Sequence, residues 1–291
     1  MQTRTIIFTH DQSDSLNRPL KPSGRSEPAP GSCPMHRLFA PADHAGGMLS
    51  RIALFTFGLV AYAMFFGTIL YAIGFVSGLF VPKTINSGTA GSVLTSLLIN
   101  TGLLMLFVVQ HTSMARPAFK RIWTRIVPHA IERSIFVAAA SACLMLLFWQ
   151  WRPLPDVVWD VSSVPALKYG LTALGLFGWA IVFISSFMVS HFDLFGLRQV
   201  WMKLRGQAYQ PIAFRLVGFY KIVRHPLMVG FLIAFWSTPT MTLGHLFFAA
   251  MTTAYILFGT WIEERDLMAQ FGQSYADYRR RVRGLIPIPR G

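Results

Sequence analysis

The sequence predicts an all-α fold: a polytopic membrane helical bundle of about six spans, with a short C-terminal helical hairpin and cytoplasmic C-terminal helices. Three observations predict it. The 291-residue chain is 53% hydrophobic and only 13% charged, about half the charged share of a soluble domain. Its apolar residues fall in uncharged runs of membrane-crossing length. Its Lys and Arg residues collect between those runs in an alternating pattern.

The elements follow in chain order. Residues 1–47 hold Pro19, Pro22, Pro28, Pro30, Pro34 and Pro41 and show no apolar period, so this extension is expected to be disordered. It lacks the apolar core of a signal peptide and is compatible with a start codon assigned upstream of a real start near Met48. The remainder, 48–291, reads as one membrane domain. Spans are expected at 52–80, 93–111, 134–151 and 166–190, the last charged only at Lys168. Residues 226–262 carry no Asp, Glu, Lys or Arg and exceed the roughly 20 residues of one span. Pro239, with Ser237, Thr238, Thr240, Thr242 and Gly244, is expected to split them into a hairpin of two short helices.

Charge placement orients these spans. The loop after the first carries only Lys83, and the loop after the third offsets Arg152 and Lys168 with Asp156 and Asp160. The loop after the second carries Arg116, Lys120, Arg121, Arg125 and Arg133; the loop after the fourth carries Arg198, Lys203, Arg205, Arg215, Lys221 and Arg224. The tail adds Arg265, Arg279, Arg280, Arg281, Arg283 and Arg290. This bias places both termini in the cytoplasm. It also accounts for the net charge of +14, so no nucleic-acid partner is inferred from it.

Polar residues gather at the cytoplasmic span ends. In FYKIVRHPLMVGF, 219–231, Pro226 suits the first turn of a helix, where its missing N–H costs nothing. Arg224 and His225 then sit beside the positive helix N-terminus. In WIEERDLMAQFGQSYADYRRRV, 261–282, Glu263 and Glu264 close the last span, and acidic residues at membrane depth are costly and often functional. Leu267 and Phe271 share a helix face, Gly272 ends or bends that helix, and Tyr275 and Tyr278 fall opposite the Arg279–Arg281 run. VSHFDLFGLRQVW, 189–201, supplies His191, Asp193 and Arg198; QHTSMARP, 110–117, supplies His111 and Arg116. No ligand spacing for a metal appears. GLFGWA, 175–180, inside a span, reads as small-residue helix packing. Cys33 and Cys143 stand far apart and form no framework.

The stretches G-F-Y-K-I-V-R-H-P-L-M-V-G at 218–230, E-E-R-D-L at 263–267 and F-G-Q-S-Y-A-D-Y at 271–278 resemble the isoprenylcysteine carboxyl methyltransferase superfamily of integral membrane enzymes. Residues 110–134, 190–201 and 235–246 are similar to the bacterial branch of that superfamily that methylates methanethiol. Met228 stands where the superfamily often has Tyr, which implies one less polar contact.

The resemblance implies S-adenosyl-L-methionine as cofactor, bound at the cytoplasmic face by 214–282, and a small thiol acceptor converted to dimethyl sulfide. Carried onto this chain, the cofactor site comprises Tyr220, Arg224, His225, Pro226, Gly230, Glu263, Glu264, Tyr275 and Tyr278. Arg224 and His225 would meet the cofactor carboxylate, Glu263 and Glu264 its amino and ribose groups, and the two tyrosines its adenine or sulfonium. A thiol must lose its proton to attack. His111 and His191 are the expected bases, with Asp193 orienting a histidine and Arg116 and Arg198 stabilising the thiolate. A prenylated or phospholipid acceptor, a sterol-reductase-like activity and a non-enzymatic transport or assembly role are the alternative readings of the same sequence.

Overall fold

The computed structural model describes residues 47–210, 212 and 217–286. The 1–47 extension, apart from Gly47, lies outside them, as do Cys33 and the first residues of 214–282. Among the described residues, five helices are long and apolar enough to cross a membrane: α1 (Met48–Ser77), α2 (Val93–Ala115), α4 (His129–Gln150), α5 (Pro165–Val189) and α9 (Leu243–Phe271). Between them lie α3 (Pro117–Trp123), α6 (His191–Leu194), α7 (Leu197–Leu204) and α8 (Pro226–Trp236), and α10 (Gln273–Arg281) closes the chain.

Local chemistry sets the boundaries. Ser92 and Thr242 cap α2 and α9 by accepting from the backbone N–H of Thr95 and His245. Pro117, Pro165 and Pro226 open α3, α5 and α8. Gly78 adopts a left-handed conformation to end α1, donating to Gly74 O.

The hairpin expected at 226–262 breaks where anticipated, but into unequal parts. Helix α8 has 11 residues, a rise of roughly 16 Å, about half a hydrocarbon core. Helix α9 has 29 and runs beyond the roughly 30 Å hydrocarbon core. The fifth expected span is therefore a half-length helix. It packs chiefly on α5, where a side chain at Gly178 would sit 2.6 Å from Ala234 N and one at Gly230 would sit 2.7 Å from Gly178 O. The small-residue reading of 175–180 holds, and Gly230 serves the same contact. The backbones approach so closely that α8 is fixed on α5 despite its length, and the extended connection to β2 carries the chain on to the α4–α5 loop.

One feature lies outside the all-α expectation. The connection after α8 forms β2 (Thr240–Thr242), antiparallel to β1 (Val157–Asp160). Leu243 N donates to Asp156 O at 2.7 Å and Gly244 N to Leu154 O at 3.0 Å, tying the hairpin tip to the α4–α5 loop. The main aromatic core lies toward this end: Phe75, Phe148, Trp151, Trp179, Phe235 and Phe248 interlock. Trp151 is buried and donates to Ile85 O. The outward faces of the long helices keep large apolar side chains exposed, among them Val60, Leu98, Val109 and Phe177, as a lipid-facing bundle requires. The basic end, opposite, is held by charge.

Candidate active site

Helix α9 carries Glu263 and Glu264 to the start of α8. His225 precedes Pro226 there, with φ −126° and ψ 60°, and its ring turns to the carboxylates instead of capping the helix. Nε2 of His225 lies 3.3 Å from Glu264 Oε1 and Nδ1 lies 3.4 Å from Glu263 Oε2. Burial opposes charge on His225, but the two glutamates outweigh it and lift its pKa to about 9. Arg224 Nε donates to Glu264 Oε1 at 2.8 Å, Nη2 pairs with the same oxygen, and Arg279 Nε approaches Glu264 Oε2 at 3.4 Å.

The C-terminal segment completes this cluster. Gly272, at φ 53°, turns the chain so that α10 folds back along α9. Tyr275 and Tyr278 bury against Leu267 and Phe271, while Arg279 and Arg280 remain exposed. Burial pushes both phenols above their ordinary range. Tyr278 Oη donates to Tyr220 O at 2.8 Å; Tyr275 Oη has no hydrogen-bond partner among the described residues. Val223 pairs in parallel with Arg283, and the N–H groups of Arg224 and His225 donate to Arg283 O and Gly284 O. Arg224 Nη1 also reaches Arg279 O and Val282 O. Thus Tyr220, Arg224, His225, Glu263 and Glu264 converge. Arg224 is committed to Glu264 and to backbone, Pro226 is buried at the helix start, and both tyrosines belong to the packed core of the C-terminal helices.

A cleft opens beside the cluster between α2 and α9. Thr112, Ala115, Arg116, Tyr255, Phe258, Gly259, Ile262, Glu263 and Asp266 line it. Thr112 Oγ1 and Tyr255 Oη lie 3.2 Å apart, and Arg116 Nη1 donates to Asp266 Oδ2 at 3.0 Å. Sequence reasoning missed Thr112, Tyr255 and Asp266. Asp266 was within reach, since i,i+3 spacing from Glu263 sets both on one face. Tyr255 is a single phenol in an apolar run, and no sequence signal marks it.

The expected catalytic group separates into two places. His111 lies on α2 one residue before cleft-lining Thr112, packed against Phe107, Phe136 and Tyr255, with Nδ1 buried and without a hydrogen-bond partner among the described residues. His191 stands elsewhere. Ser190, at φ 102°, breaks α5 and restarts the chain at once as α6, which turns His191 inward. Its Nε2 lies 2.9 Å from Tyr62 Oη and its Nδ1 2.8 Å from Ser186 Oγ, and its ring stacks on Phe187 at 4.3 Å. Burial holds its pKa below the ordinary histidine value. The expected coupling of Asp193 to a histidine gives way here: Tyr62 and Ser186 occupy both His191 nitrogens. Asp193 instead accepts from Arg198 at 3.2 Å and Tyr209 at 2.9 Å. Arg198 also donates to Gln210 O. His191 touches Phe195, which stacks on Phe65 at 3.8 Å. Both belong to the apolar cluster around Phe136, the ring against His111, so the two histidines flank one hydrophobic wall without meeting.

The chain is 51% identical over 242 residues to methanethiol S-methyltransferase 1 of Bradyrhizobium diazoefficiens, covering 83% of this chain and 85% of that protein. It is 50% identical to methanethiol S-methyltransferase 2 of the same organism, over 82% and 92% of the two chains. It is 48% identical to the methanethiol S-methyltransferase of Mycobacterium tuberculosis, over 83% and 98%. No family model and no solved structure matches it. The architecture is that of a polytopic membrane protein with a charged site at one end of its bundle. The chain belongs to the methanethiol S-methyltransferase family.

Proposed function

We propose that this protein transfers a methyl group from S-adenosyl-L-methionine to the sulfur of methanethiol, giving dimethyl sulfide and S-adenosylhomocysteine. One observation carries the reading beyond kinship: the Arg-His-Pro and Glu-Glu motifs form a single charge cluster, and Glu263 extends it into a cleft. The cofactor's chemistry fits these residues. Among the described residues, Glu263 Oε2 is buried with His225 Nδ1 at 3.4 Å as its ion-pair partner, so it retains capacity to accept from a cationic amino group. His225, positively charged at neutral pH, supports a carboxylate. Tyr220 borders them. Arg224, Glu264, Pro226, Gly230, Tyr275 and Tyr278 build the frame that holds these two side chains.

When bound, the cofactor supplies an electrophilic methyl group on a positively charged sulfur. The protein must hold the thiol in line and accept its proton. His111 is the base of this proposal, since its Nδ1 is unpartnered whereas both His191 nitrogens are engaged. His191, Asp193 and Arg198 then fix α6 and α7 to the bundle. Arg116, in the cleft wall, adds positive charge for a developing thiolate.

We place the protein in the bacterial cytoplasmic membrane with both termini inside. The support is the excess of Arg and Lys in the α2–α4 and α5–α8 connections over the α1–α2 and α4–α5 connections. Headspace gas chromatography tests the function. Cells that make no dimethyl sulfide, given this gene and methanethiol, are expected to release it, and a His225→Ala control is not. Absence of product from well-inserted protein that still binds S-adenosylhomocysteine would overturn the acceptor and favour a lipid one.

A further inference from the structure

We infer that the cleft between α2 and α9 is the acceptor-thiol site, with the Thr112–Tyr255 hydroxyl pair on the sulfur and Phe258, Gly259 and Ile262 limiting the alkyl chain. This rests on the function proposed above. The position is right: Glu263 is both a wall of the cleft and a partner of His225, so an acceptor held there adjoins the group expected to hold the donor. The lining has two chemistries. Ala115, Phe258, Gly259 and Ile262 form an apolar stretch, bounded by Thr112 and Tyr255 and by the Arg116–Asp266 pair. A small alkyl thiol matches that division, with one soft polar atom and a methyl group.

The hydroxyl pair suits sulfur in particular. Two O–H groups share a single mutual bond at 3.2 Å, which uses one donor hydrogen and leaves the other for a third atom. A thiol sulfur is a weak acceptor and a thiolate a strong one, so that donor gains strength as the proton leaves. Nothing in the pair demands a partner strongly enough to exclude an apolar ligand. Gly259 has no side chain, and Ile262 sits one turn away on the same helix. Together they make the space short, and they are the positions where a longer alkyl group would collide.

The test compares methanethiol with 1-propanethiol as acceptors for the full chain in detergent or nanodiscs. Products are read by headspace gas chromatography and S-adenosylhomocysteine affinity is measured alongside. Ile262→Ala is expected to raise the propanethiol-to-methanethiol ratio of kcat/KM by roughly tenfold, the scale on which apolar pockets discriminate methylenes. Gly259→Leu is expected to raise the KM for methanethiol about tenfold or more, and Tyr255→Phe to lower kcat/KM by about tenfold. All three should leave S-adenosylhomocysteine affinity unchanged. An active wild type whose three variants keep the same ratio and the same KM overturns this inference alone. A wild type that makes no dimethyl sulfide overturns the proposed function and this site with it.

Discussion

His225 and His191 are both buried at the same end of the bundle, each just outside a long or packed apolar helix, and their pKa values move in opposite directions. His225 faces two carboxylates, and its pKa rises to about 9. His191 faces two hydroxyls and a stack of aromatic rings, and its pKa falls. Burial alone disfavours the imidazolium in both places. What differs is the partner: Glu263 and Glu264 arrive from α9 at one site, Tyr62 from α1 at the other. The comparison separates a histidine kept charged by two carboxylates from one that bridges helices through two hydroxyls.

The largest expected effect removes the charge centre. His225→Ala should reduce dimethyl sulfide formation by about a hundredfold or more and weaken S-adenosylhomocysteine binding in parallel, measured by headspace analysis and calorimetry. Glu264→Ala should act mainly on the fold. It strands Arg224, whose side chain is 7% exposed, and the loss should approach about 3 kcal/mol. Thermal unfolding in detergent would show it; an unchanged midpoint would remove the pair from the framework.

His191→Phe should keep the ring stack and lose two hydrogen bonds, for a cost of about 1–2 kcal/mol. Turnover should fall by no more than several-fold. A collapse of activity with intact folding would return His191 to the catalytic group and erase the contrast drawn here. The pH dependence sharpens it. His225 has a raised folded-state pKa, so its stabilising charge is fully present below about pH 6.5. That contribution is lost as pH rises through about 9. Thermal midpoints should therefore fall between those values in the wild type and fall less in His225→Gln. Asp193→Asn should have the smallest effect, within about 1 kcal/mol, because Arg198 is partly exposed and Tyr209 can still donate.

The legible and illegible parts of the site divide along physical lines. Gly272 and the tyrosine face of α10 followed from local spacing, and the structure places Leu267, Phe271, Tyr275 and Tyr278 in one cluster. Their burial in a packed core did not follow, because spacing shows which residues share a face but not what covers it. Polar residues were expected to gather at the cytoplasmic span ends, and the structure brings Arg224, His225, Glu263 and Glu264 together. That His191 lies apart did not follow, since residues at one end of a bundle need not meet. The half-length α8 escaped a hydropathy reading because 226–262 is uncharged throughout. Only the pairing of β2 with β1 and the Gly178–Gly230 approach show where the helix ends and what holds it.

By itself the sequence determined the membrane class, the helix start at Pro226, and the residues able to carry charge at the basic end. Those are local properties: hydropathy, backbone stereochemistry and side-chain chemistry act within a few residues. Tertiary structure alone decided that Glu264 belongs to Arg224, that Glu263 opens into the cleft beside Tyr255, and that His191 is neutral. Each of these depends on which helix arrives opposite, and the energy of a buried charge is set by that neighbour.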